Sequence, residues 1–192
     1  MIQKPPSMSA DLRWTPVPQS EAPAFPRSRG LLNIRLLKAL MVFSVGIWGV
    51  LVALGNLLDY DSNWQFVKHV LSMDTVFPDN RLRYRAITEP TLQAASYWLI
   101  IAVEWLMGLT CLAGAWRLFR TRNSPAAFVA AKPIAAAGLV LVFLLYYLGF
   151  VVIGGEWFSM WQSATWNGQY KGAMFAGSAV MVLIVPLIRE EQ

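Results

Sequence analysis

Residues Pro133–Gly155, PIAAAGLVLVFLLYYLGFVVIGG, run for 23 positions without a charged side chain. A helix rises 1.5 Å per residue, and about 20 residues cross the roughly 30 Å hydrocarbon core of a bilayer. The run is therefore long enough to span. Three others flank it. Ala39–Leu58 is 20 residues without a charge, and Ala94–Trp116 is 23 residues with one acid, Glu104. Gly172–Ile188 is 17 uncharged residues, with Tyr170 and Lys171 before it and Arg189 after it as interface anchors. Lipid offers no partner to a backbone amide, so four such runs mean four spanning helices. The expected fold is all-α: a polytopic membrane protein whose four transmembrane helices form one bundle.

Composition points the same way. Of the 192 residues, 56% are hydrophobic and only 14% charged, against roughly 45–50% and about 25% in soluble domains. Mean hydropathy is +0.45. These values exclude a disordered chain, a secreted disulfide scaffold and an ordinary cytosolic domain. The single cysteine, Cys111, has no internal partner for a disulfide. Residues 1–30 hold six of the eleven prolines and read as an extended tail, so the membrane domain is 31–192. Its outer loops are 59–93 and 156–171.

Orientation follows from where Lys and Arg fall. Lys4, Arg13, Arg27, Arg29, Arg35 and Lys38 precede the first span. Arg117, Arg120, Arg122 and Lys132 lie between the second and third without any acid, and Arg189 follows the fourth. The opposite side has Lys68, Arg81, Arg83, Arg85 and Lys171, diluted by Asp59, Asp61, Asp74, Asp79 and Glu89. The positive-inside rule puts both termini in the cytoplasm. The net charge of +5 then reflects topology and attraction to anionic lipids, not nucleic-acid binding.

Chemistry concentrates in the two outer loops and at one intramembrane residue. Within Ser62–Met73, Gln65, Lys68, His69 and Ser72 share one helical arc, while Trp64, Phe66, Val67, Val70, Leu71 and Met73 cover the other. That is a short amphipathic helix lying in the interface, with Ser62 and Gln65 in the spacing of a capping box. It serves as a lid on the bundle or as a docking face for another membrane subunit. Arg81, Arg83 and Arg85 alternate with Leu82 and Tyr84, a spacing that clamps an anionic headgroup or is simply neutralised by the five acids nearby. Thr88, Glu89 and Pro90 read as a helix start. The second outer loop carries Trp157, Trp161 and Trp166, an aromatic belt by default, with Gly154-Gly155 as a left-handed end to the third helix.

Glu104 shares a face with Gly108, Cys111 and Ala115 at spacings of 4, 7 and 11. Small residues let helices approach, so the carboxyl points into the bundle, where a bare charge costs at least ~2.5 kcal/mol. Tyr146 on the third span is its expected partner, and Asn56 on the first joins through water. The group acts as a polar clasp or as a proton or cation site. His69 is the only histidine, so zinc, di-iron and bis-His haem lack a ligand set. No nucleophile motif, phosphate loop or dinucleotide fingerprint is present, so no catalytic residues and no cofactor are expected.

The segments Ser62–Asp74 (SNWQFVKHVLSMD) and Ile153–Ser163 (IGGEWFSMWQS), with Trp166-Asn167-Gly168-Gln169 following, resemble a bacterial domain-of-unknown-function family of predicted small integral membrane proteins. The likeness covers roughly residues 35–188. It implies a four-helix protein of the bacterial inner membrane and carries no activity with it. The longer Pro-rich tail departs from the family's compact pattern, as an arm added for a particular partner would. The function expected is therefore a non-catalytic accessory subunit of a larger inner-membrane complex, respiratory or photosynthetic, binding partner subunits through its outer loops. One alternative is a small transporter or channel using Glu104. A second is a quinone- or haem-binding protein whose site is lined by Trp157, Trp161 and His69.

Overall fold

The computed structural model describes residues 34–188; the Pro-rich tail 1–30 and its expected extended form lie outside the described residues. Five helices follow in chain order: α1 (Ile34–Leu58), α2 (Tyr60–Ser72), α3 (Pro90–Thr121), α4 (Pro125–Phe143) and α5 (Gln169–Leu187). A π-helical stretch, Leu144–Trp157, continues α4. Four helices are long and apolar enough to cross a membrane: α1, α3, α4 with its π continuation, and α5. The protein is a polytopic all-α membrane protein.

The helices outrun the uncharged stretches that announce them. α1 begins at Ile34 and takes in Arg35 and Lys38, α3 extends to Thr121, and Pro133 lies inside the third span. A charge ends the lipid-soluble run but does not end a helix. Lys38, buried on the inner face of α1, sends its Nζ 3.1 Å to the carbonyl of Ile188. Helices start instead where a proline takes the first helical position, at Pro90 and Pro125.

Three local expectations change. The third span does not stop at Gly154-Gly155. It continues to Trp157 with a bond from the Phe158 N–H to the Ile153 carbonyl, 3.0 Å, and the left-handed residue after it is Ser159, at φ 53°. Ser62 caps nothing. α2 begins two residues earlier, and the Ser62 hydroxyl donates to Asp59 Oδ1 at 2.9 Å. At the head of α3 the cap is Glu89, not Thr88: its carboxylate accepts from the Leu92 N–H at 2.9 Å.

That bond, with a second from the Thr91 hydroxyl, holds the Glu89 carboxyl below its ordinary range. A carboxylate whose pKa falls on folding stabilises above its unfolded value and loses that contribution as pH drops through the folded value. Protection of the Leu92 amide, taken relative to its intrinsic exchange rate at each pH, is therefore expected to hold at neutral pH and to be lost only once the medium is more acidic than an ordinary glutamate requires. Protection that ignores pH, or Glu89→Ala without effect on it, refutes the cap.

α3 is the central helix, packed most extensively on α1 and α4; α5 packs on α4 and its π continuation, and meets α1 only sparsely. Small residues make this closeness available. A Cβ added at Gly108 would lie 2.8 Å from Val50 N, and one at Gly114 would lie 2.5 Å from Ala135 Cα. The buried faces are the ones the spacing marks: Gly46, Gly49, Ala53 and Asn56 on α1, and Glu104, Gly108, Cys111 and Ala115 on α3. Both described chain ends lie at one end of the bundle, where Lys38 meets Ile188 and Arg35 Nη1 reaches the Arg122 carbonyl at 3.3 Å. The two long loops meet at the other.

Candidate functional site

The intramembrane carboxyl is engaged directly. Glu104 is 2% exposed, and Asn56 Nδ2 donates to its Oε2 at 2.5 Å. No intervening water is needed, because the Gly49–Gly108 approach brings α1 against α3. Tyr146 plays a different part from the one expected. Its ring sits among Trp48 at 5.4 Å, Phe150 at 5.3 Å and Phe175 at 5.1 Å, joining the π stretch to α1 and α5. No hydrogen bond runs from Tyr146 to Glu104 among the described residues.

A residue that sequence reasoning passed over completes the cluster. Tyr97 lies seven positions before Glu104 on the same face, and its hydroxyl donates to the Asn56 carbonyl at 3.0 Å. One turn earlier, Gln93 is buried and donates to Ser72 Oγ at 3.0 Å and to the Ile87 carbonyl at 2.7 Å. Gln93, Tyr97 and Glu104 thus form a polar ladder down α3. The spacings of 4 and 7 were visible in the sequence. What concealed them is that Gln93 precedes the apolar run and Tyr97 passes for an interface aromatic.

At the loop end the two long connections form one layer. Gln162 Oε1 accepts from the Phe77 N–H at 3.1 Å and from Asn80 Nδ2 at 2.8 Å. Thr75 Oγ1 donates to Ser163 Oγ at 2.8 Å, and Ser163 in turn accepts from the Trp166 N–H at 2.9 Å. His69 stacks on Trp166 with ring centroids 4.7 Å apart and sets Nδ1 2.6 Å from Asp74 Oδ2. Trp64 packs against Tyr97 and Tyr60. α2 is a lid on the bundle, with Val67, Val70 and Leu71 buried beneath it.

The arginine run is not neutralised by acids of its own loop. Arg83 Nη2 bonds the Val76 carbonyl and Arg85 Nη1 the Trp157 carbonyl, each at 3.3 Å, while Arg81 is exposed. The three residues expected around an aromatic cofactor part company: Trp157 lies under Arg85, Trp161 packs edge-on against Phe77, and His69 is on Trp166. Among the described residues no three His, Cys, Asp or Glu side chains are grouped as metal ligands.

The sequence that forms these four spans and their loops matches a known family model. The model of the family described as predicted small integral membrane protein (DUF2165) matches residues 34–189. The chain belongs to this family. The DUF2165 match covers every described helix and both segments, 62–74 and 153–163, that carried the resemblance. No curated protein and no solved structure matches the chain.

Proposed function

We propose that this integral membrane protein is a non-catalytic structural subunit of a larger complex in a bacterial inner membrane, with both termini cytoplasmic. The orientation rests on the distribution of Lys and Arg and on the meeting of both described ends at one end of the bundle. The partner is another membrane subunit, met through the loop layer. The observation that carries this reading is the Phe77–Trp161 pair, 49% and 48% exposed yet fixed edge-on at 5.9 Å over the Gln162 bonds. Large aromatics already held in place lose little freedom on binding, which is why they recur at the centres of interfaces.

Transport through Glu104 has less support. Asn56 takes the carboxyl, and the two surface cavities described are lined by other residues. Affinity purification in a mild detergent, followed by mass spectrometry, is the test. A stoichiometric companion is expected with the native chain and lost from Phe77→Ala/Trp161→Ala while the bundle stays folded. A native chain that purifies without any companion, or a companion indifferent to both substitutions, rejects the proposal.

A further inference from the structure

An open groove of about 500 Å³ lies where the π stretch meets the loop layer, lined by Arg85, Val152, Ile153, Glu156, Trp157 and Phe158. Its volume falls within the roughly 300–1,000 Å³ of small-molecule sites. Two features set it apart from ordinary membrane-facing surface. First, it holds a cation and an anion that do not pair. No ion pair joins Arg85 or Glu156 to any group among the described residues.

Second, the cation is under-satisfied. The guanidinium lies 4.3 Å over the Trp157 ring and spends one N–H on the Trp157 carbonyl. Its Nε is buried with no hydrogen-bond partner, the one such side-chain atom found among the described residues. Arginine has five N–H donors in a fork suited to phosphate. Nε is enclosed by protein, so the donors left for an anion are those on the open Nη edge of the fork.

Glu156 is held ready in its turn. Gln169 Nε2 donates to its Oε1 at 3.1 Å, leaving the other oxygen to accept. Gln169 gets that close because residue 155 is glycine: a Cβ there would fall 2.6 Å from Gln169 Nε2. Below the two charges the wall is Val152 and Ile153, both exposed on the membrane-spanning helix.

We propose that this groove binds a glycerophospholipid whose headgroup carries a phosphate and a primary ammonium, phosphate against Arg85 and ammonium against Glu156. The acyl chains run down Val152 and Ile153, and Trp157 marks the depth of the headgroup boundary. Arg85 alone would accept any phospholipid. Glu156 is the residue that chooses, since a carboxylate repels a headgroup of net negative charge and accepts hydrogen bonds from an ammonium.

The full chain, stripped of lipid in detergent, is titrated with phosphatidylethanolamine or phosphatidylglycerol of identical acyl chains, and bound lipid is counted by native mass spectrometry. The native protein is expected to hold one phosphatidylethanolamine about tenfold more tightly than phosphatidylglycerol, a difference of about 1.4 kcal/mol. Glu156→Gln, at an exposed position, is expected to abolish that preference without lowering phosphatidylglycerol binding. Arg85→Gln is expected to weaken both lipids about tenfold, and Arg85→Lys to restore part of the loss. Equal binding of the two lipids by the native chain overturns the proposal, as does a preference that survives Glu156→Gln. If Arg85→Gln fails to fold, Glu156→Gln decides alone.

Discussion

Gly114→Val is expected to abolish accumulation of the folded bundle. At that position α3 lies against α4 so closely that even a methyl carbon would sit 2.5 Å from Ala135 Cα and 2.6 Å from Ala135 N. Both obstacles are backbone, which has no rotamer to swing aside. Overpacking of a core typically costs about 1–3 kcal/mol, and more where nothing can yield. Gly114→Ala is therefore expected near the top of that range and Gly114→Val beyond it. Two internal controls are available: a Cβ at Gly55 or Gly177 meets nothing within 4 Å. Alanine at either is expected to be neutral or to stabilise by up to about 1 kcal/mol, because glycine inside a helix is conformationally costly. The yield of folded protein reads Gly114→Val, and unfolding in graded sodium dodecyl sulfate compares the three alanine variants. A Gly114→Ala protein as stable as Gly55→Ala would mean that the α3–α4 contact is not as close as described.

The second large effect concerns the polar clasp. Asn56→Leu leaves the Glu104 carboxyl buried with no donor, and an orphaned buried group of this kind costs about 1–3 kcal/mol. Pairwise coupling between membrane helices averages only about 0.6 kcal/mol. The larger figure applies here because the substitution removes one side only. Glu104→Gln keeps an acceptor for Asn56 Nδ2 and is expected within about 1 kcal/mol of the native protein. Replacing both residues by leucine removes donor and acceptor together, and most of the lost stability is expected to return. The same unfolding titration reads all three. Equal loss from Asn56→Leu and from the double variant would contradict the clasp. A fully stable Glu104→Gln protein that loses a pH-driven ion flux would move Glu104 from architecture to transport.

The four spans were legible because lipid imposes a requirement that a linear reading can check: enough consecutive apolar residues, with polar backbone closed inside each segment. The buried faces were legible for a related reason, since small residues at helical spacing mark where helices can touch. The ends of the helices were not. Arg35 and Lys38 mark the end of lipid-soluble sequence, while α1 runs on past them. Gly154-Gly155 looks like a terminus, yet its lack of side chains is used for approach by Gln169, and the helix passes through it in π form.

Of the candidate residues, the order of the chain marks Glu104 as the embedded acid and His69, Trp64 and Trp166 as distinctive side chains of the loops. Which groups they meet was decided only in three dimensions. By depth Tyr146 was the expected partner of Glu104 and Asn56 lay nearer the surface, yet the close α1–α3 crossing brought Asn56 to the carboxyl. Arg85 and Glu156 stand 71 positions apart in the sequence, so no local pattern could show that they border one groove. Periodicity and hydropathy are properties of neighbours along the chain; a pairing between distant residues depends on helix crossing and loop closure, which arise only when the whole bundle packs.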